Sequence, residues 1–198
     1  VVVSPEDGIS SIPQKLIVGI TGASGVIYGV TLLRALKAAG IQSHLVISKA
    51  AEMTLGYETD VKPADVRALA DHHYPAADVG AAIASGSFRG MGMVVAPCSV
   101  RSMSEIATGV TTTLLTRAAD VTLKERRRLV LMVRESPLHL GHLRTLAALT
   151  EMGAIIAPPL PAFYPRPETA QQIVDHSVGR ILDLFDIDND MAHRWRAE

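Results

Sequence analysis

The residues of this chain equipped for chemistry fall into three groups. The first is a turn of small residues, Thr21-Gly22-Ala23-Ser24-Gly25, between the apolar run Leu16-Ile17-Val18-Gly19-Ile20 and an amphipathic run that starts near Val26. Strand, small-residue turn and helix in that order make a seat for an anion. Glycine lets the backbone come close, and a helix N-terminus offers free N–H groups and a partial positive charge. Ser24 adds a hydroxyl where a phosphate, or a reacting group beside one, would sit. The turn is not the full dinucleotide fingerprint, and it lacks the lysine of a P-loop. The second group is Arg117 and Lys124, two helical turns apart and so on one face, a cationic pair aimed at a phosphate. The third is Arg134-Glu135, which follows the apolar run Leu129-Val130-Leu131-Met132-Val133. Ligands of open α/β sheets bind outside the carboxyl ends of strands. The pair there admits two readings: a structural ion pair, or a phosphate or carbonyl clamp beside a general acid/base.

Other positions carry less. Ser99 suits an N-cap, and the N–H groups after it form a second anion site. Cys98 has no histidine nearby and reads as a small buried residue at a strand end. The adjacent His72 and His73 read as a solvated turn. His139 and His142 lack a third ligand at metal spacing and read as structural. Phe163-Tyr164 sits in a connection stiffened by Pro158, Pro159, Pro161, Pro165 and Pro167. It suits a lid or pocket wall, or else an interface plug.

These groups need a scaffold, and the apolar pattern supplies one. Strands are expected near residues 16–20, 44–48, 92–96, 129–133 and 154–157. Helices are expected over Val26 to Ala39, 49–57, Val66 to Ala70, the segment after Ser99, Thr112 to Arg127, Leu140 to Met152 and Glu168 to Phe185. Gly40 is a natural helix stop. Residues 60–90 are the least legible, with Ala81 to Gly90 read as a loop over the site. Alternating strand and helix predicts a doubly wound α/β domain with a parallel sheet. Residues 1–14 read as an N-terminal tail and residues 15–198 as one domain.

Bulk properties narrow the classes. The chain has 198 residues, 48% of them hydrophobic, and a formal net charge of -1, which favours neither nucleic acid nor an anionic membrane as partner. A single cysteine excludes an intrachain disulfide framework and, with no signal-like or membrane-spanning run, leads to the expectation of a cytoplasmic protein. A mean hydropathy of +0.24 is high for a small chain and points to apolar surface buried between subunits.

Taken together, ITGASGVIYG, LVISKAAE, YETD, APCSVRSMSEIATG, LLTRAADVTLKERRRLVLMVRESPLHLGHL, PAFYPRPET and DHSVGRILDLF resemble one family, the flavin prenyltransferases of the UbiX type, formerly described as aromatic-acid decarboxylase subunits. The resemblance runs from about Lys15 to Trp195. It implies a flavodoxin-like, Rossmann-like three-layer sandwich that binds FMN and dimethylallyl phosphate and needs no metal. The implied reaction joins the prenyl group to N5 and then C6 of reduced FMN. The product, prenylated FMN, serves a partner decarboxylase of the UbiD type. A homododecamer with sites at subunit contacts is also implied.

Carried over by motif, Gly22, Ala23, Ser24, Ser48, Ser99, Val100, Arg101, Ser102 and Arg134 would contact FMN. Arg117, Lys124, Tyr164 and Arg180 would hold the phosphate of the prenyl donor, some from a neighbouring subunit. Ser24 would lie near the reacting centre, and Glu58 and Glu135 would be the acid/base carboxylates. Two other functions compete. A flavin-dependent cysteine-type decarboxylase would carry a catalytic histidine after the first turn, where this chain has Gly25-Val26-Ile27-Tyr28. A non-catalytic FMN carrier would have no use for a second phosphate cage.

Overall fold

The computed structural model describes residues 13–194. Trp195 and the tail before residue 13 lie outside the described residues. Strand and helix alternate as β1 (Lys15–Ile20), α1 (Val26–Ala38), β2 (Gln42–Ile47), α2 (Lys49–Glu58), α3 (Pro63–Leu69), β3 (His72–Tyr74), β4 (Gly92–Cys98), α4 (Val100–Thr108), α5 (Leu114–Lys124), β5 (Arg128–Val133), α6 (Leu140–Glu151), β6 (Ile155–Ile156) and α7 (Ala170–Asp183). The strands form one sheet in the order β3-β2-β1-β4-β5-β6, and every pairing is parallel. This is a three-layer α/β sandwich of the flavodoxin-like kind. The short β3 extends the edge beside β2 and completes a Rossmann-like order. The order reverses between β1 and β4, which places a crevice at their carboxyl ends.

The apolar strands split by alternation. Leu16, Val18 and Ile20 of β1, with Val130 and Met132 of β5, face a core closed by α1 and α7. Ile17 of β1, with Leu129, Leu131 and Val133 of β5, face a second core closed by α4, α5 and α6. A period of two in a run with no polar positions feeds both layers at once. α1 stops as expected near Gly40. The Ile41 N–H bonds Leu36 O and the Gly40 N–H bonds Lys37 O, the paired bonds of a Schellman motif, with Gly40 at φ 71°. α1 also lies close on β4: a Cβ at Gly29 would stand 2.4 Å from Ala96 O.

Two expectations are corrected. His72 and His73 form the edge strand β3, in register with His44 and Leu45. Three polar residues are too short a run to show a period, and ring stacking replaces an apolar face: His72 stacks on His44 at 4.6 Å. The segment from Ala81 to Gly90 is not a loop over the site. It carries a single 3₁₀ turn, Ala82–Ala84, and descends to the amino ends of the strands, where the Met91 N–H bonds Lys15 O and Arg127 donates to Gly86 O. Among the described residues, no helix is long and apolar enough to cross a membrane.

His44 makes this edge sensitive to acid. It is 4% exposed, and its Nδ1 lies 2.9 Å from Tyr74 Oη while Nε2 lies 3.3 Å from Gln42 Oε1. An imidazole that accepts from the tyrosine and donates to the amide is neutral. Burial, then the positive charge of His72 and Lys15, lower its pKa from 6.5 to about 4, against a smaller opposite pull from Asp71. The unfolded chain therefore takes up a proton that the native state refuses. Stability from this site is whole above about pH 6.5 and drains as the pH falls toward 4, by roughly 2–3 kcal/mol. Urea unfolding followed from pH 7.5 to 4.5 should show that loss, and His44→Gln should remove most of the slope; equal slopes in the two proteins would refute the assignment.

Candidate functional site

β1 ends at Ile20, and the turn that opens with Thr21 separates two cavities at the carboxyl edge of the sheet. One, of about 530 Å³, is lined by Thr21, Gly22, Ser48, Ser99, Ser102 and Thr113 among others. The other, of about 520 Å³, is lined by Ser24, Gly25, Tyr28, Glu58 and Arg134 with Ile27, Thr59, Pro159 and Val174. Gly22 is required by space rather than by φ. A Cβ there would stand 2.5 Å from that of Ala50, so the turn packs against the first turn of α2.

The first cavity collects helix N-termini. Ser48, Ser99 and Thr113 are the N-caps of α2, α4 and α5, and each accepts through its side chain from a backbone N–H of its own first turn. The first N–H groups of a helix have no intrahelical acceptor, so each can be counted. In α4, the Ser99 N–H donates to Thr21 Oγ1 at 2.7 Å and the Ser102 N–H to Ser99 Oγ at 3.3 Å. The N–H groups of Val100 and Arg101 have no acceptor among the described residues. In α2, the Ser48 N–H donates to Ile20 O at 3.0 Å and the Ala51 N–H to Ser48 Oγ at 3.1 Å, which leaves those of Lys49 and Ala50. In α5, the Leu114 N–H donates to Ala76 O at 2.8 Å and the Leu115 N–H is left. Unpaired amides and three partial positive charges converge on one space, a setting that suits a phosphate monoester, and its wall also carries Lys49, the Arg101–Glu105 pair and the apolar Ala76, Ala77 and Leu115.

The α1 N-terminus is different. Gly25, its N-cap, sits at φ 99° and offers no side chain. Its N–H and that of Val26 donate to Glu58 Oε2, at 2.8 and 3.2 Å. The seat that the sequence offers to an anion after Ser24 is filled by the protein's own carboxylate. Glu58 Oε1 has no hydrogen bond among the described residues, nor has the Arg134 guanidinium. Ser24 is exposed at the rim. Tyr28 stands between: burial raises its phenol pKa, and the Arg134 charge pulls it partly back.

The remaining expected residues are placed as follows. Ala23 is buried within the turn, and Arg101 pairs with Glu105 at 2.8 Å, both in the wall of the first cavity. Arg134 and Glu135 do not pair with each other among the described residues; the Glu135 carboxylate accepts from the Ser136 N–H at 2.9 Å. Arg117, Lys124, Tyr164 and Arg180 line neither cavity. Arg117 donates to Asp120 at 2.7 Å and Lys124 to Glu125. α5 runs away from the cavity, so Lys124 sits about 15 Å along the helix from Leu114, toward the amino ends of the strands. Arg180 donates to Asp183 at 2.6 Å on α7. Tyr164 Oη lies 3.2 Å from His176 Nε2 and 3.1 Å from His193 O, and the His193 N–H donates to His176 Nδ1 at 3.2 Å. Cys98 is buried, which pushes its thiol up to about 12. His139 caps α6, its Nδ1 accepting from the Gly141 N–H at 3.0 Å.

Sequence reasoning missed Thr21, Tyr28, Thr113 and the α2 and α5 amides. Capping hydroxyls before Lys49 and Leu114 are visible in the chain, but only the sheet order shows that these helix ends share a cavity. Tyr28 gives no signal, being one more helical residue in an apolar stretch.

The comparisons with known proteins agree in one direction. The family described as Flavoprotein matches residues 8–192. Flavin prenyltransferase UbiX of Thauera aromatica is 53% identical over 182 residues, covering 92% of this chain and 94% of that one. Among solved structures, AnUbiX in complex with FMN and dimethylallyl pyrophosphate superposes with a TM-score of 0.91 at 47% identity, covering 93% of this chain and 98% of that one. A dodecameric FMN-dependent UbiX-like decarboxylase from Escherichia coli O157:H7 does so with a TM-score of 0.90 at 49% identity, covering 92% and 100%.

The Glu58 cap can be tested without substrate. Glu58→Gln keeps an oxygen acceptor and loses only the charge facing the helix dipole, so it should lose about 0.3–1 kcal/mol of stability. Glu58→Ala leaves two amides to water and should lose about 1–2 kcal/mol, part of which added sulfate restores at the opened N-terminus. Urea unfolding measures both, and a Glu58→Ala protein as stable as its parent would show the cap to be inert.

Proposed function

The chain belongs to the flavoprotein family and, within it, to the flavin prenyltransferases, and from that premise we propose how its residues divide the work. It is a prenyltransferase with FMN as acceptor. We assign the donor as dimethylallyl phosphate and the product as FMN prenylated at N5 and C6. The observation that carries the residue assignment is the cavity where α2, α4 and α5 present their free amides. The donor set fits a phosphate monoester such as that of FMN: backbone N–H groups, the hydroxyls of Ser48, Ser99 and Ser102, and Gly22, Ala23 and Ser24 beside them. Val100 and Arg101 contribute their N–H groups rather than their side chains.

When bound, reduced FMN supplies the nucleophile, so the protein need not supply one, in accord with a buried Cys98. Arg134 and Ser24 face the flavin from the second cavity. Breaking the carbon–oxygen bond of the donor sends an electron pair to the phosphate, a poor leaving group. Arg117, Lys124 and Arg180 stabilise the charge that develops there, and Tyr164 donates a hydrogen bond to it. Because Arg117 and Lys124 lie away from the cleft of their own chain, a second copy supplies them. Glu58 and Glu135 hold and move protons: Glu58 lines the cleft, its Oε2 fixed by Gly25 and Val26 and its Oε1 without a hydrogen bond among the described residues.

A homo-oligomer follows from that shared site, with the dodecamer of a relative as its form. Leu160 and Phe163, 74% and 73% exposed in the proline-rich connection, are surface that such an assembly would cover. A UbiD-type decarboxylase is the proposed recipient of the product.

Anaerobic incubation of the protein with reduced FMN and dimethylallyl phosphate, followed by mass spectrometry of the released flavin, tests the reading. A flavin heavier by one prenyl unit is expected, and Glu135→Gln should bind FMN without turning it over. Unmodified FMN, with tight binding demonstrated, would overturn the donor assignment, and the same result with the diphosphate would favour a carrier.

A further inference from the structure

The β1–β4 ladder runs from Leu16↔Gly92 to Gly19↔Val95 and stops there. Beyond it β4 turns irregular: its register with β5 shifts between Val95 and Cys98, and Pro97 has no N–H to offer. Yet this is where the sheet order reverses and where the crevice needs fixed walls. Thr21 takes over from the ladder. Its N–H donates to Pro97 O at 3.2 Å and its Oγ1–H donates to the same oxygen at 2.8 Å. Oγ1 then accepts from the Ser99 N–H at 2.7 Å. The side chain is 1% exposed, and it joins segments more than seventy positions apart in sequence.

We propose that Thr21 is a positioning residue for the flavin phosphate: it clamps the start of α4 so that the N–H groups of Val100 and Arg101 face the cavity. The inference rests on the phosphate seat given above. Thr21 acts through α4 and need not touch the ligand. It serves by being both donor and acceptor. It satisfies the Ser99 N–H, so that this amide does not compete for the ligand, and it anchors the carbonyl two residues earlier, so that α4 cannot swing about Ser99. Valine has the same shape and neither function. With valine, a part-buried N–H and one lone pair of Pro97 O lose their partner, and the Ser99 N–H must find an acceptor elsewhere. Serine keeps both.

The discriminating readout is the preference for FMN over riboflavin, which differ only in the phosphate. Dissociation constants of both are measured by fluorescence on the full chain. Thr21→Val should weaken FMN about ten-fold or more while changing riboflavin little, and Thr21→Ser should restore the preference. Thr21→Ala reads the same ratio independently of how a valine methyl packs. If FMN and riboflavin weaken alike, or neither changes, Thr21 has no positioning role. Val100→Pro keeps the two failures apart. Proline is tolerated at the first position of a helix and removes one N–H, and Ser99, at φ -77° and ψ 156°, already has the extended backbone that precedes proline. Loss of the preference in Val100→Pro but not in the Thr21 variants would overturn this inference alone. A preference intact in Val100→Pro would remove the phosphate from α4 and the inference with it.

Discussion

The first amides of every helix must find an acceptor, and this structure depends on which ones the protein answers itself. In a parallel sheet all helices that follow strands begin at the same edge, so their unpaired N–H groups accumulate there. Glu58 answers those of α1, while Lys49, Ala50, Val100, Arg101 and Leu115 keep theirs open. The cavity owes its character to this difference. Lys49, Arg101 and Glu105 also stand in its wall, and Arg101 is held by Glu105 at 2.8 Å. The fixed dipoles of three helix ends need no ordering when a ligand arrives.

Much of this was legible in the chain. The five apolar runs gave five strands, because a run with no polar position can be buried on both faces. The Gly40 stop and the Ser99 cap followed from local chemistry that tertiary packing had no reason to override. β3 was not legible, since His72-His73-Tyr74 is held by ring stacking on His44 rather than by an apolar face. The path of residues 81–90 was hidden for a related reason: it is tied by Arg127 to backbone carbonyls at Phe88 and Gly86, and no pattern announces such bonds. In the site, motif resemblance named residues but not their neighbours. Ser24, Glu58 and Arg134 meet in one cleft, and Gly22, Ser48, Ser99 and Ser102 in the other. That division depends on the sheet order, which sequence spacing alone does not contain.

The four residues assigned to the donor phosphate show a further limit of one chain. Arg117, Arg180 and Lys124 each hold a local acid, Asp120, Asp183 and Glu125. The half-exposed Arg117–Asp120 and Lys124–Glu125 pairs are worth at most about 1 kcal/mol, little to set against a phosphate of higher charge density. Asp183 is shared with Arg194 at 2.9 Å, which ties the end of the described chain to the helix carrying Arg180. Tyr164 is bound to the same region through His176 and His193. The C-terminal segment therefore positions two of the four residues assigned to the donor phosphate, Tyr164 and Arg180.

The position of Glu58 also sorts anions. Were the α1 N-terminus open, a phosphate would have two seats within one turn of backbone, and the free energy separating them would be small. With Oε2 bonded to Gly25 and Val26, the α1 amides are taken, and the cleft side of the turn sets a carboxylate beside the Arg134 guanidinium instead. The cavity side presents amides and hydroxyls, with Lys49 and the Arg101–Glu105 pair in its wall. Specificity is a difference between two affinities, and here it comes from open helix amides in one cavity and an occupied helix N-terminus in the other. The same carboxylate is thereby fixed in the cleft that Arg134 and Tyr28 line, so that one pair of backbone hydrogen bonds both closes the α1 N-terminus to other anions and holds in place a group assigned to the chemistry.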